Sequence, residues 1–513
     1  MEENWRSRPR RKVRSAPIQR PVISVTDAFG QRIEALVGPR LASHVLKQFG
    51  KRTLPGTPAE FHALEAALLK VAQEELVASV LFEVVHEVHA QEEFVVWSMA
   101  QARRKTADLR ATTDRPITIR VTGGELRLES PYMAPSRPSS KKGPKRLAGR
   151  RGKGGGGLFP VLAALGFVKR VSPFVASEVA QSAALLCSFE EASYSLASRG
   201  IEIDPDTARN VANEVGDAGL VDRENDEPVD DDLGAERVVI CMDGGRLRCR
   251  ETKPGVRLPS GFHGYHTPWL EPKMVAAYAV GDTGEKIPGS RPVYETTLAP
   301  WKDAIPVFAR TLRRHGIQRA KSVLIAADGS DHIWREVERL IELAGLEPSR
   351  VVKCLDFYHA MEHVNEAAQL TTRFTADSAR EAWVTLQAHR LKAGEADLMI
   401  RDLQSLPTTD LNAPELVKQE NYFVERLDLL RYDQISAMGF PMGTGAVESA
   451  IRRIVNLRLK APSTFWCPEN AERMLYLRCR AKANRWSEVD HALHRRALVP
   501  ARTQAPEVLE LVG

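Results

Sequence analysis

The chain has 513 residues, of which 43% are hydrophobic and 27% are charged, and its formal net charge is +6. At about 150 residues per domain this length predicts roughly three domains, with the composition of a globular protein rather than a disordered or fibrous one. No apolar run approaches the roughly 20 residues that cross a bilayer, and the Arg-rich N-terminus lacks an apolar signal segment, which argues against membrane insertion and secretion.

The charge is distributed unevenly. Residues 1–20 hold seven Lys/Arg against two Glu, and residues 136–153 hold eight Lys/Arg and no acid. Such concentrated positive charge favours a polyanionic partner, and the alternative is a pair of solvated, disordered segments. The six cysteines are scattered without CxxC pairs, so we expect buried free thiols in a reducing cytoplasm.

The first third of the chain is predicted to be mainly helical. After a basic disordered tail (1–22), a helical region (23–133) contains a capping box, Thr57-Pro58-Ala59-Glu60, and a hairpin over 117–132 that turns at Gly123-Gly124. Residues 134–157 are rich in Pro, Ser, Lys, Arg and Gly and predict a basic linker.

Residues 158–220 predict a helix-turn-helix domain. Ser188-Phe189-Glu190-Glu191 caps one helix with Ala192, Leu196 and Ala197 inward, and Arg199-Gly200 makes a sharp turn. Asp204-Pro205 starts the next helix, whose outward side chains are the predicted DNA contacts: Thr207, Arg209, Asn210 and Asn213. Helix pairs of this kind also occur in proteins that never contact DNA. An acidic segment, 221–235, predicts a second linker, flexible through self-repulsion.

From residue 236 the pattern alternates between strands and helices. Apolar runs predict strands at 238–242, 274–280, 293–298, 322–327 and 351–355, with 247–250 pairing back on the first. Helices are predicted at 304–315, 332–344 and 358–367. This β-β-β-α-β-α-β-α order is an antiparallel meander followed by parallel crossovers, and its ribonuclease H-like version places the first and fourth strands side by side.

Acidic residues follow these strands. Asp243-Gly244 ends the first strand and Asp328-Gly329 the fourth, so the two carboxylates would face each other and could bind Mg²⁺. Asp356 ends the fifth strand and competes for the second position. A third acid, Glu448, follows the turn Gly443-Thr444-Gly445 and precedes basic residues that would hold DNA: Arg452, Arg453, Arg458 and Lys460.

Helical signals without strands fill 365–438 and predict an insertion, either a lid, a DNA-contacting arm or simple packing. The segment Phe465-Trp466 and a helix over 471–486 with several arginines suit a nucleic-acid surface, or equally a packing helix with snorkelling arginines. Residues 491–513 are the predicted C-terminal tail.

The motifs MDGGRLRC (242–249), AADGSDHIW (326–334), LDFYHAMEH (355–363) and PMGTGAVESAIRRIVNLRLK (441–460), together with the helix-turn-helix, resemble the DDE transposases of bacterial insertion sequences, the ISKra-type group in particular. The resemblance covers about residues 158–490. The chain lacks the CPxCG motif that many of these transposases carry in their N-terminal half.

The resemblance implies a multidomain α+β protein whose ribonuclease H-like α/β catalytic core (236–364 and 439–490) carries the helical insertion and follows the helical N-terminal region. Its two Asp and one Glu match Asp243, Asp328 and Glu448 as catalytic metal ligands, with Asp356 the runner-up and His359 accessory. It also implies Mg²⁺, with Mn²⁺ the alternative ion, at two positions about 3.5–4 Å apart.

The implied partners are DNA element ends and target DNA, bound by a homodimer or higher oligomer in the bacterial, nucleoid-associated cytoplasm. Two alternatives stay open. One is a catalytically silent DNA-binding protein derived from a transposase, and the other is a ribonuclease H-like nuclease.

Overall fold

The computed structural model describes residues 21, 26–36, 58–106, 109–135, 157–229, 233, 237–257, 263–461 and 464–498. The predictions for residues 1–20, Thr57, 136–156, 230–232 and 499–513 lie outside this part of the chain. The protein is a mixed α and β structure that divides into two compact units, within Met1–Ala218 plus Asp490–Gly513 and within Gly219–Val489. Within the described residues, no helix has the length and apolarity to cross a membrane.

The first unit is mainly helical. Its helices are α1 (27–36), α2 (Pro58–Val71), α3 (Ala78–Ala90), α4 (Glu92–Lys105), α5 (Pro160–Ala164), α6 (Pro173–Leu185), α7 (Phe189–Ala197) and most of α8 (Pro205–Arg223), with a π-helical stretch at Ala72–Val77. Its short strands are β1 (Leu109–Ala111), β2 (Arg115–Val121), β3 (Gly124–Ser130) and β4 (Met133–Pro135). The hairpin β2–β3 confirms the predicted turn, where Gly123 and Gly124 both have positive φ.

The helices α6, α7 and α8 lie where three helices were expected. Ser188 Oγ accepts a hydrogen bond from Glu191 N at 3.0 Å, which confirms the predicted cap, and Gly200 turns the chain with φ 73°. Ala192 and Leu196 are buried as predicted. The inward position predicted for Ala197 is wrong because this residue, in the last turn of α7, is exposed.

The second unit is built on a five-stranded sheet. Its strands are β5 (Arg237–Gly244), β10 (Lys273–Val280), β11 (Val293–Thr297), β12 (Ser322–Ala327) and β13 (Val351–Leu355), in the order β11-β10-β5-β12-β13. Strands β11, β10 and β5 are antiparallel, whereas β5, β12 and β13 are parallel. The predicted adjacency of the first and fourth strands is therefore confirmed.

Both faces of this sheet are covered, as near-continuous apolar strands require. On one face Val238, Ile240 and Met242 pack with the helices α9 (Trp301–Arg314) and α10 (Asp331–Ala344). The alternate residues Val239 and Cys241 are also fully buried. The other α-helices of the unit are α11 (Phe357–Leu370), α12 (Asp377–Lys392), α13 (Ala396–Gln404), α14 (Ala413–Val424), α15 (Tyr432–Ala437), α16 (Gly445–Ile451), α17 (Leu457–Leu459) and α18 (Pro468–Lys482), while α19 (Trp486–Leu498) begins in this unit and ends in the first.

One predicted pairing is wrong. The segment after β5 does not pair back on it, because the chain leaves the sheet at Gly245, whose N–H bonds to Pro272 O at 2.8 Å. Two small hairpins follow instead. Strand β6 (Leu247–Arg248) pairs with β9 (Trp269–Leu270), and β7 (Glu251–Arg257) pairs with β8 (His263–His266).

Two further expectations change. The helix predicted over 471–486 is broken, because Asn484 adopts a left-handed conformation (φ 57°), and α19 then extends to Leu498 inside the predicted tail. The acids at 222–226 do not repel one another into a flexible linker: Asp222 pairs with Arg314 at 2.8 Å and Asp226 with Arg313 at 2.6 Å.

The cysteine prediction is right for four residues. Cys241, Cys249, Cys354 and Cys479 are buried free thiols, whereas Cys187 and Cys467 are exposed.

Candidate active site

Three carboxylates lie at the carboxyl ends of the parallel strands, and a fourth lies on helix α16. Asp243 is the next-to-last residue of β5, Asp328 follows β12, and Asp356 follows β13. Because Ala327 pairs with Met242, Asp328 and Asp243 follow at neighbouring positions. Glu448 lies in the first turn of α16, which contacts β5 and β10.

Asp243 is partly buried. Its Oδ1 accepts a hydrogen bond from Gly244 N at 2.6 Å. Burial raises the pKa of Asp243 to about 6, and the negative charges of Asp328 and Glu448 contribute to the same shift. The ionised form of Asp243 is thus disfavoured mainly by burial and to a smaller extent by its acidic neighbours.

Asp328 is anchored only lightly. Its Oδ1 accepts from Ser330 N at 2.9 Å, and its backbone oxygen accepts from Trp334 Nε1 at 2.7 Å. The ring of Tyr422, from the helical insertion, lies so close to Gly329 that a Cβ there would be 2.1 Å from it. Helix α14 therefore packs directly beside the loop that carries Asp328.

Asp356 has a different environment. It is fully buried and caps α11, with Oδ1 accepting from His359 N at 2.7 Å and lying 3.1 Å from His359 Nδ1. Its Oδ2 accepts from both the N–H and the hydroxyl of Thr444, the latter at 2.6 Å. Burial alone would raise the pKa of Asp356, but the bonds from His359 and Thr444 outweigh it and lower this pKa to about 2.

The side chains of Asp356, His359 and Glu448 meet. One ligand atom from each lies within 4.8 Å of the other two. The hydrogen bond to Asp356 raises the pKa of His359 to about 9 against the effect of burial, so the imidazole is protonated at neutral pH and is a poor metal ligand. We interpret this trio as an anchored pair, Asp356 and His359, beside an exposed carboxylate, Glu448.

The donor atoms of Asp243, Asp328 and Glu448 suit a divalent cation, although the side chains that come within 4.8 Å of one another are those of Asp356, His359 and Glu448. Carboxylate oxygens are the donors that Mg²⁺ and Mn²⁺ prefer. Burial is the main cause of the raised pKa of Asp243, and the charges of Asp328 and Glu448 add to it, so a cation bound beside Asp243 would favour its ionised form. Asp356 fits less well, because protein donors already occupy both of its oxygens.

The basic residues that follow Glu448 divide into two groups. Arg452 and Lys460 are exposed, and Arg453 is exposed but donates to Tyr294 Oη at 3.0 Å. Arg458 is only 4% exposed, with its guanidinium 5.3 Å from the ring centre of Trp466. The DNA contact predicted for Arg458 is corrected accordingly, since its charge is packed inside the protein.

Two arginines of α18, Arg478 and Arg480, are buried as well. Arg480 pairs with Glu295 at 2.9 Å, and Arg478 Nε donates to Ile454 O at 2.5 Å. Arg485, just after the helix, donates to Pro292 O at 2.9 Å. For Arg478, Arg480 and Arg485, the packing alternative is right.

The predicted helix-turn-helix contacts lie on the first turns of α8. Arg209 and Asn210 are exposed, and Thr207 and Asn213 are half-buried. Asp204 Oδ1 accepts from Thr207 N at 2.9 Å, and Arg209 pairs with Asp206 at 2.9 Å. These four side chains lie in the first unit.

Two residues of the site were missed from the sequence. Thr444 bonds Asp356 and lies 3.5 Å from Glu448 Oε1, and the side chain of Glu271 lies against Gly244, directly after Asp243. Gly443, just before Thr444, was a usable signal, because a glycine allows the backbone to approach another element closely, and a Cβ there would lie 2.8 Å from the ring of Tyr358. No local pattern marked Glu271.

Comparisons of the chain with family models, with curated proteins and with solved structures give no match.

Proposed function

We propose that this chain is a DDE transposase that cleaves and joins DNA strands at the ends of an insertion element. The observation that supports the proposal is the adjacency of Asp243 and Asp328 at the ends of two paired parallel strands, with the helix that carries Glu448 in contact with the first of these strands. Strand-end aspartates on adjacent parallel strands with a helical glutamate are the arrangement that the motif resemblance implies.

The sheet supports a ribonuclease H-like core. Three antiparallel strands are followed by two parallel ones, and the first strand lies between the second and the fourth. The helical insertion between α11 and α16 separates Glu448 from the sheet in sequence while α16 contacts β5.

Asp243, Asp328 and Glu448 would hold Mg²⁺, or Mn²⁺ in its place. Bound there, the cation supplies activation of a water molecule and stabilisation of the leaving 3′ oxygen. The chain's own residues have other tasks. Asp356 fixes Thr444 and so the start of α16, His359 presents a positive charge beside Glu448, and Arg452 and Lys460 bind phosphates of the strand being cut.

The first unit would recognise the element's terminal repeats through a helix-turn-helix formed by α7 and α8. Arg209 and Asn210 are the exposed side chains on its second helix. Bringing two element ends together requires a homodimer or a larger assembly, at work on the nucleoid in the bacterial cytoplasm.

The test is Mg²⁺-dependent cleavage and strand transfer with a labelled element end, taken from DNA flanking the coding region. We expect Asp243→Asn, Asp328→Asn and Glu448→Gln each to reduce both reactions by more than about a hundredfold, because loss of a metal's outer partners alone costs 10–100-fold. Chelation with EDTA should abolish them. Asp331→Asn, an exposed carboxylate three residues beyond Asp328, is the matched control and should keep activity.

Other outcomes separate the alternatives. Activity kept in Asp328→Asn and lost in a normally folded Asp356→Asn variant would transfer the second ligand to Asp356. A wild-type protein that binds ends and never nicks them would be the catalytically silent DNA-binding protein. Cutting of ends and of unrelated DNA alike, without strand transfer, would favour the nuclease.

A further inference from the structure

The small hairpins between β5 and β10 carry a basic and aromatic surface that the proposed chemistry does not use. Along 246–250 the side chains alternate: Arg246, Arg248 and Arg250 are exposed, whereas Leu247 and Cys249 are buried. This alternation places three guanidinium groups on the solvent side of one extended segment.

Aromatic rings lie among these arginines. Trp269 is 58% exposed and Tyr265 is 44% exposed, which is unusual for large aromatic side chains. The guanidinium carbon of Arg250 lies 3.9 Å from the centre of the Tyr265 ring, and that of Arg248 lies 5.0 Å from the centre of Phe465. We call Arg246, Arg248, Arg250, Tyr265, Trp269 and Phe465 the hairpin face.

The hairpin face is built on a fixed frame. Cys249 N donates to Pro268 O at 2.9 Å, and Arg250 N donates to Trp466 O at 2.8 Å, so that the segment carrying Phe465 lies beside the arginine segment. Trp466 is buried beneath it. The exposed rings are therefore displayed by hydrogen-bonded backbone.

The hairpin face begins next to the candidate active site. Only Gly244 and Gly245 separate Asp243 from Arg246, and a Cβ on Gly245 would lie 3.5 Å from Ile451 of α16. Of the acids nearest in sequence, Glu251 is half-buried and Glu271 pairs with Lys273 at 3.2 Å.

We propose that the hairpin face binds an unpaired stretch of DNA strand, with bases stacked on Trp269 and Tyr265 and phosphates neutralised by the three arginines. Aromatic side chains interleaved with arginines suit single strands, because each unpaired base offers a free π-face. Bases in a duplex are already stacked on one another, so exposed rings would gain little from them. That the polymer is DNA rests on the proposed function, and the unpaired state is the new element.

The experiment measures binding of the full-length protein to a fluorescein-labelled 20-nucleotide single strand and to the duplex of the same sequence. The buffer contains EDTA, so that no cleavage occurs, and 0.2 M salt, which weakens contacts that depend on charge alone. We expect Trp269→Ala to weaken single-strand binding roughly 5- to 150-fold, the range for loss of one stacked base, and to change duplex binding less than twofold. Tyr265→Ala should act likewise, and Trp269→Phe should keep most of the affinity.

Two variants serve as controls. Leu411→Ala removes another exposed apolar side chain, and Arg335→Gln removes another exposed guanidinium, so both should leave single-strand binding unchanged. Arg248→Gln should reduce the salt dependence of single-strand binding as well as its strength.

The proposal is overturned if Trp269→Ala and Tyr265→Ala change single-strand affinity less than twofold, or weaken duplex binding as much. It is also overturned if an RNA strand of the same sequence binds more tightly and suffers the same loss. Cleavage of element ends is measured separately in Mg²⁺. If element ends are cleaved but the substitutions leave single-strand binding unchanged, this inference alone is refuted. If the substitutions weaken single-strand binding but element ends are not cleaved, the transposase proposal alone is refuted.

Discussion

Asp328 and Asp356 end neighbouring parallel strands, yet their oxygens have different partners. Asp328 accepts one backbone hydrogen bond through its carboxylate, whereas Asp356 accepts bonds at both oxygens and is fully buried. A carboxylate that is already saturated by its own protein stabilises the fold, while a carboxylate with free oxygens can take a cation. Asp356 therefore holds Thr444 in place at the start of α16.

This difference predicts that replacing Asp356 lowers the stability more than replacing Asp328. Asp356→Asn should lower the melting temperature by about 5–10 °C, because the amide cannot accept every bond from His359 and Thr444 and leaves buried donors unpaired. Asp328→Asn should change it by less than about 3 °C. Thermal unfolding followed by circular dichroism measures both, and equal shifts would contradict the positioning role.

A second carboxylate predicts how stability depends on pH. Burial would raise the pKa of Glu488, but His315, whose Nε2 lies 2.9 Å away, and the charges of Arg480 and Arg485 lower it to about 2. A lowered folded-state pKa means that the stabilisation is complete above pH 4.5 or so and is lost as the pH falls towards 2.

We therefore expect Glu488→Gln to be about 3 kcal/mol less stable than the wild type at pH 7. As the pH falls from about 4.5 to about 2.5, the free energy of unfolding of the variant should decrease less than that of the wild type. Urea unfolding of both proteins across this range measures the difference. Parallel pH profiles for the two proteins would show that Glu488 is not the group responsible.

At the scale of elements, the sheet was predictable because its strands are apolar on both faces. The segments 238–242 and 322–327 are each five or six mainly apolar residues long, which indicates a buried strand. The order of the strands along the chain predicted that these two pair, and they do. The hairpins β6–β9 and β7–β8 were missed because Leu247 finds its partner at Leu270, across a segment rich in Gly and Pro.

The same reasoning applies to the site. Asp243 and Asp328 were predicted together from strand order, whereas Asp356 and Thr444 are 88 positions apart and their bond depends on how α16 docks. The arginines of α18 were ambiguous for a related reason. Their buried partners, such as Glu295 on β11, come from elements that helical spacing alone does not reveal.

The contact between Gly219 and Tyr476, both in the second unit, predicts a close-contact effect. A Cβ on Gly219 would lie 2.0 Å from the ring of Tyr476, which is 1% exposed and cannot move aside freely. Gly219→Ala should therefore destabilise the second unit by about 1–3 kcal/mol, as overpacking does. Gly445→Ala, in α16 with nothing within 4 Å, is the matched control and should be neutral or stabilising by up to about 1 kcal/mol. Equal effects on thermal unfolding would contradict this account.

At the scale of the whole molecule, positive charge is concentrated in residues 1–20 and 136–153. Together these carry 15 Lys/Arg and two Glu, a net +13, so the rest of the chain carries 6 − 13 = −7. In the second unit, many arginines already have acidic partners, such as Arg314 with Asp222 and Arg480 with Glu295. The net positive charge of the chain therefore comes from the two basic segments.

This distribution predicts how DNA binding depends on salt. Each neutralised phosphate contributes about 0.9 to the slope of log affinity against log salt concentration, so deleting residues 1–20 and replacing the eight cations of 136–153 by glutamine should make the slope shallower by several units. The ratio of affinities for an element end and for unrelated DNA should stay nearly constant, because phosphate contacts carry no sequence information.

As a control, replacing Arg335, Arg350, Arg380 and Arg431 by glutamine should change the slope by less than one unit, since each already has an acidic neighbour. An unchanged slope in the first variant would mean that the phosphates are held by the folded units, and a collapsed affinity ratio would mean that the basic segments also read sequence.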